Sequence, residues 1–393
     1  MNLIPNQTAG LYIHIPFCVR KCAYCDFYSI TDLTLKSRFL KALSAEMQLV
    51  AAEGLLFDTL YIGGGTPSIY PSDDIRQIFK SVFQNFDFLP NLETSIEVNP
   101  GTLNFERLTA YRESAINRIN IGVQSFQQKN LDFLGRIHTA PEACRAVEDA
   151  QRAGFENIGF DLIYGLPGQS KKEWLQDLAT AVNYRPQHLA CYMLAYEKGT
   201  PLQQSLQRGN FKPLGEDKVR ALFDTTIEFL EDHGYFQYEI SNFARSNGET
   251  NVCRHNLKYW TLAPYIGLGP SAHSFIEPQR YWNVSSVNQY IKSVTSGRLP
   301  VAKKEVLSRE QQMIEAIYLG LRMTSGIDLA GFKRKFQIDF TAEFKELSSD
   351  LEKMNYIAFG KNHCRLTRQG RAFLDHIVSM FVSQDFGRMK VTR

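Results

Sequence analysis

Three cysteines, Cys18, Cys22 and Cys25, fall within eight residues of one another in the segment HIPFCVRKCAYCDF, residues 14–27. Thiolates at C-x3-C-x2-C spacing can surround one centre only from a loop, because a helix or a strand would point them in different directions. A structural zinc ion wants four closed ligands, commonly from two separated knuckles, whereas an iron–sulfur cluster accepts thiolates from one compact run. The cluster is the expectation and zinc the alternative. His14 is the nearest candidate for a fourth zinc ligand, but it stands in the strand-like run LYIHIP, where Ile13 and Ile15 point to the other face. Three ligands on a four-iron cube leave one iron open, and an open iron is a place for a small molecule. The other cysteines, Cys144, Cys191, Cys253 and Cys364, are scattered; seven in 393 residues are too few for a disulfide scaffold and fit a reducing compartment.

The elements that must position such a loop repeat along the chain. From Leu11 to Tyr196, six short apolar, β-branched runs (LYIHIP, TLYIGGG, TSIEVNP, RINIGVQSF, NIGFDLIYGLPG and HLACYMLAY) alternate with segments of helical period such as LKSRFLKALSAEMQLVAAEG and PSDDIRQIFKSVFQNF. Repeated βα units predict a parallel sheet, either open and doubly wound or a partial barrel. The unusual residues stand where the runs end: the cysteines after the first, Gly63, Gly64 and Gly65 at the second, Glu97 and Asn99 at the third, Gln124 at the fourth and Asp161 at the fifth. Ligands of parallel α/β folds sit at the carboxyl ends of strands, so these side chains are expected to converge on one site. No Lys-Ser or Lys-Thr follows the glycines, so they do not form a phosphate loop.

After about Pro213 the pattern loosens into an aromatic- and glycine-rich stretch expected to wrap onto the same domain. From Val301 a second unit is expected, residues 301–393, with helices over Ser308–Met323, Ile327–Phe336 and Thr341–Met354, then a hairpin and a final helix, a small winged-helix-like arrangement. Residues 1–300 form the first unit. The net charge of +3 is uneven: the last 93 residues hold 16 Lys and Arg against 11 Asp and Glu. A solvated basic face explains this, and with no Arg- and Lys-rich recognition helix a nucleic-acid partner is not expected. The N-terminus has no secretory pattern and no apolar run reaches membrane-spanning length, so a cytoplasmic location is expected.

Cys18-x3-Cys22-x2-Cys25, with Tyr24 just before the last cysteine, resembles the signature of the radical S-adenosylmethionine (SAM) superfamily, in which the amino and carboxylate groups of SAM chelate the open iron. The resemblance extends through GGGTPS, IEVNPG, NRINIGVQSF, DLIYGLPGQ and HNLKYW. It points to the family of oxygen-independent coproporphyrinogen III oxidase and its HemW-type relatives, the haem chaperones. It implies a partial (β/α)6, TIM-like barrel with a small, mostly helical C-terminal domain, a 4Fe-4S cluster on Cys18, Cys22 and Cys25, and SAM. By position, Gly64, Gly65 and Thr66 match the segment along the methionine part of SAM, Glu97, Gln124 and Asp161 match polar SAM contacts, and Arg136 matches a carboxylate-binding arginine. Tyr12, Tyr24 and Ala195 match further cofactor contacts.

Two activities divide that family, haem chaperoning and radical decarboxylation of coproporphyrinogen. The oxidases carry another cysteine two positions after the third, where this chain has Phe27, and a longer arm before the cluster, where 17 residues precede Cys18. Both features resemble the chaperone branch. So does HNLKYW, residues 255–260, which matches the HNxxYW stretch associated with haem in that branch. His255 is the candidate axial ligand of haem, with Cys253 and His273 as competitors; His273 also matches a position close to SAM. The implied partners are haem and an acceptor haemoprotein, a membrane-associated respiratory protein among the options, and a homodimer is compatible with the resemblance.

Overall fold

The computed structural model describes residues 8–50, 55–246 and 251–383. Its first six strands are β1 (Ala9–Ile15), β2 (Leu56–Gly64), β3 (Asp87–Val98), β4 (Arg118–Gln124), β5 (Asn157–Tyr164) and β6 (His188–Met193). Each pairs in parallel with the next. The connections carry helices Lys36–Val50, Ser72–Asn85, Phe105–Glu113, Ala140–Arg152 and Lys171–Asn183, the βα alternation expected from the sequence.

Six shorter strands extend this run: β7 (Tyr235–Gln237), β8 (Asn242–Arg245), β9 (Tyr265–Leu268), β10 (His273–Ile276), β11 (Gln279–Asn283) and β12 (Val301–Val306). The resulting twelve-stranded sheet has the order β12-β11-β10-β9-β1-β2-β3-β4-β5-β6-β8-β7. Strand β9 is parallel to β1, whereas β8 is antiparallel to β6.

Side chains alternate across each strand, and the two sets differ in chemistry. Leu11, Ile13 and Ile15, Leu60 and Ile62, Ile119, Ile121 and Val123, Ile158, Phe160 and Leu162 form one face. They are buried in a single core with Phe39, Leu43, Phe79, Tyr111, Val147 and Trp174 of the covering helices. The intervening positions are polar or small: Tyr12 and His14, Tyr61 and Gly63, Ser95 and Glu97, Arg118, Asn120, Gly122 and Gln124, Gly159 and Asp161, His188 and Ala190. Apolar packing thus fixes the register that turns the polar set to the opposite face.

The segment from Val301, expected to open the second unit, begins with a strand of the sheet. Val301–Val306 is β12, paired antiparallel with β11, because its backbone completes the sheet edge. The C-terminal segment continues from Leu307. It holds helix Arg309–Arg322, the strand β13 (Ile327–Asp328), helices Leu329–Phe336, Phe340–Glu343 and Lys345–Lys353, strands β14 (Ile357–Phe359) and β15 (His363–Leu366), and helix Leu374–Ser383. Ile327 starts a strand rather than a helix, and the third expected helix is broken at Phe344. The unit has its own core, in which Phe332, Phe336, Phe340, Phe344 and Phe381 pack together.

Candidate functional site

The polar face of β1–β6 and the loops at its strand ends enclose a cavity of about 630 Å³. This lies within the roughly 300–1,000 Å³ typical of small-molecule sites. Cys18, Cys22 and Cys25 line it, as do Tyr12, Tyr24, Gly64, Gly65, Thr66, Glu97, Gln124, Arg136, Asp161, Ala195 and His255. The separated motifs therefore meet in one chamber. His273 does not line it: on β10 the side chain is exposed and its ring stacks on Trp282 at 5.4 Å. Strand β10 lies beyond β9 on the flank of the sheet away from β2–β6, so His273 stands apart from the residues gathered in the chamber.

The cysteine loop leaves β1 after Ile15 and is tied down at two points. Cys18 N–H donates to Ile30 O at 3.0 Å, and Ala23 N–H to Leu134 O at 3.3 Å. The glycine run of β2 supports it from beside: Gly65 N–H donates to Ile15 O at 2.7 Å and Thr66 N–H to Phe17 O at 2.8 Å. A Cβ on Gly65 would stand 2.7 Å from Phe17 O, and one on Gly64, whose φ is +106°, would stand 2.6 Å from the His14 ring. The absence of side chains here lets β2 approach the protein's own loop.

Two donors face the sulfurs. Thr66 Oγ1 lies 3.4 Å from Cys18 Sγ and Arg136 Nη1 3.3 Å from Cys22 Sγ. Arg136 is held by Nη2 donating to Gly122 O at 2.8 Å. Burial pushes the Cys25 thiol up to about 11, with Cys22 and Cys18 adding to the rise. A cationic centre inverts that trend, since metal-bound thiols are deprotonated. Among the described residues no three His, Cys, Asp or Glu side chains stand close enough to hold one metal ion. His14 is engaged elsewhere, with Nδ1 3.0 Å from Tyr12 OH and Nε2 2.8 Å from Tyr28 O. Three thiols on one loop are a donor set that suits an iron–sulfur cluster.

Beside the cysteines stand two half-buried carboxyl groups. Glu97 accepts from Tyr61 OH at 2.8 Å and from Gly64 N–H at 3.1 Å, and Asp161 accepts from Asn120 Nδ2 at 2.8 Å. Burial pushes Glu97 up to about 7, with the Asp161 charge adding to it, and pushes Asp161 up to about 6. Gln124 ends β4 with φ +66°, in the left-handed region that non-glycine residues seldom occupy, at a shift in the β4–β5 register. Such carboxylates and amides suit a ligand carrying hydroxyls and positive charge.

Helix Arg254–Trp260, which holds the HNLKYW stretch, also lines the chamber. His255 is 1% exposed and both ring nitrogens are engaged, Nδ1 with Thr59 Oγ1 at 2.8 Å and Nε2 with Tyr259 OH at 2.9 Å. It stacks on Tyr61 at 5.1 Å, and burial pushes its pKa down to about 3. The histidine is thus neutral and fixed within an aromatic group, and binding a metal through Nε2 requires displacement of Tyr259. Cys253 is buried beside Glu93, which pushes its thiol further up after burial has raised it. Tyr61, Asn120, Arg118, His188, Trp260 and Arg322 also line the chamber. Of these six the sequence reading singled out only Trp260; for Arg118 and Asn120 the period of two in RINIGVQ, which puts them on one face with Gln124, was the available signal.

Comparison with known proteins agrees with this geometry. The radical SAM superfamily profile matches residues 12–181, and the HemN C-terminal domain profile matches residues 307–373. The heme chaperone HemW of Lactococcus lactis is 33% identical over 97% of this chain and 98% of its own length. That of Bacillus subtilis is 32% identical, over 95% and 99% respectively. Among solved structures, coproporphyrinogen III oxidase (HemN) from Escherichia coli, a radical SAM enzyme, superposes with a TM-score of 0.84 at 24% identity, over 97% of this chain and 91% of that one. Near full-length similarity to these relatives leads to one assignment: the chain belongs to the HemW-type haem chaperones, a branch of the radical SAM superfamily related to HemN.

Proposed function

We propose that this protein binds haem in the chamber between the cysteine loop and helix Arg254–Trp260 and passes it to an acceptor haemoprotein. The observation that carries the reading is the continuity of that chamber, in which Cys18, Cys22 and Cys25 share a cavity with His255, Asn256, Tyr259 and Trp260. In this reading the strands curve into a partial barrel around the ligand, and Cys18, Cys22 and Cys25 hold a 4Fe-4S cluster whose fourth iron takes SAM. The cluster with SAM supplies one-electron chemistry when bound. Thr66 and Arg136 donate toward the sulfurs and stabilise the thiolate form. Glu97, Asp161 and Gln124 bind the hydroxyls and positive charge of SAM, while Gly64, Gly65, Tyr12, Tyr24 and Ala195 shape the cavity around it. Tyr61, Tyr259 and Trp260 supply flat apolar surface for a porphyrin. His255 orders those rings, and becomes an axial ligand only on releasing Tyr259.

Oxidation of coproporphyrinogen is the second reading, favoured by the superposition on HemN. Phe27 weighs against it, since it puts an exposed ring at the chamber mouth where the oxidases have a sulfur. An anaerobic assay of the reconstituted protein decides between them. The proposal expects stoichiometric haem binding and no decarboxylated product from coproporphyrinogen III; catalytic turnover to that product would replace it with the oxidase reading.

A further inference from the structure

The chamber also presents buried polar atoms without a hydrogen bond. Among the described residues, no hydrogen bond satisfies Trp260 Nε1, Arg322 Nε, Asn242 Oδ1 or His188 Nδ1. All four residues line the chamber, and Asn242 and His188 are each 3% exposed. Arg322 comes from the C-terminal unit, at the end of helix Arg309–Arg322. Its guanidinium lies 4.5 Å over the Trp260 ring, and Nε comes within 2.8 Å of Glu239 Oε2 without the alignment of a hydrogen bond. Glu239 is fully buried and is itself held by Ser241 N–H at 2.9 Å and Asn242 Nδ2 at 2.5 Å, so it is a fixed counter-charge behind the arginine.

An indole N–H is a donor only, and a buried one without an acceptor is unfavourable; the guanidinium beside it also only donates, and Glu239 meets it at Nε. The group that would satisfy both at once carries acceptor oxygens and negative charge. A carboxylate does so, and a guanidinium fork is well matched to it. We propose that Arg322 and Trp260 Nε1 grip a carboxylate of the bound haem, so that the C-terminal unit contributes a ligand-binding residue to the chamber of the sheet domain. This rests on the haem reading above and adds to it the recognition of the porphyrin's acidic side chains. Stacking on Trp260 and pairing with Glu239 hold the guanidinium in place before the ligand arrives, which limits the ordering cost of binding.

The full-length protein, reconstituted anaerobically, is titrated with haem and with haem dimethyl ester, whose carboxylates are blocked. Wild type is expected to bind haem about tenfold or more tightly than the ester, the effect of one charge-assisted hydrogen bond. R322Q is expected to lose that advantage while retaining the ester affinity, R322K to regain part of it, and W260F, which keeps an aromatic ring but lacks the N–H, to lose several-fold for haem. Equal affinity of wild type for haem and ester overturns the grip while leaving haem binding intact, and needs no variant to fold. Equal losses for both ligands in R322Q or W260F overturn it too, since they indicate lost packing. Failure of wild type to bind either ligand overturns the haem reading itself, and the grip with it.

Discussion

At the scale of single residues, the site is built from groups whose charge is unfavourable until a ligand arrives. The Cys25 thiol pushed up to about 11 and the Glu97 carboxyl pushed up to about 7 are both raised chiefly by burial. Replacing Cys18, Cys22 or Cys25 by serine is expected to bring iron and sulfide from about four per chain to background, while Cys364→Ser in the C-terminal core leaves them unchanged. Iron and sulfide analysis after anaerobic reconstitution is the check. For Glu97 and Asp161 the raised pKa means that the folded protein without ligand holds protons an exposed carboxyl has already lost. SAM carries a sulfonium charge and favours the ionised forms, so its binding releases protons below about pH 7. Its affinity is expected to rise from about pH 5 to about pH 7, by at most about tenfold per pH unit for each carboxyl, and then level. Equilibrium binding across that range measures the slope, which Glu97→Gln should flatten in its upper part.

Among elements, the junction between β1, the cysteine loop and β2 places the sulfurs. Gly65→Ala is expected to push β2 off the Phe17 and Ile15 carbonyls, which a Cβ would meet at 2.7 and 2.9 Å, and to cost about 2–3 kcal/mol together with most of the iron. Chemical denaturation and iron content read the two effects separately. A second junction is Glu46, buried in helix Lys36–Val50, which accepts from Tyr290 OH at 2.6 Å, Asn283 Nδ2 at 2.7 Å and Gly269 N–H at 2.8 Å. Glu46→Ala orphans three donors and is expected to destabilise by about 3 kcal/mol or more. Burial pushes Glu46 up to about 7 against those donors. Its contribution to stability therefore falls as pH rises from about 4.5 to about 7, a slope that Glu46→Gln should remove. The six parallel strands and most helices were legible because their apolar period is strong. Val301–Val306 was not: VAKKEV has little apolar character, and it is a strand because β11 offers an unpaired edge. Nor was the role of the glycines, since the atoms they make room for lie some fifty residues away in sequence.

For the whole molecule, the fold brings a loop at residue 18, strand ends at residues 64, 97, 124 and 161 and a helix at residue 255 to one chamber, which Arg322 of the C-terminal unit also lines. The convergence of the strand-end residues followed from the βα repeat, and the family from the motifs. The contribution of Arg322 did not, because it depends on how two separately packed cores meet, and no period in the sequence records that. His273 marks the same limit: its position matched a cofactor contact, yet it lies outside the chamber on β10. The most direct test of the account is an anaerobic haem titration of the reconstituted protein, following haem and iron–sulfur absorbance together. The account predicts saturation at about one haem per chain with the iron–sulfur signal retained, and greatly weakened haem binding when Tyr61, Tyr259 and Trp260 are replaced by alanine in a protein that keeps its iron. Haem that fails to bind, or that binds only by displacing the iron, would contradict it.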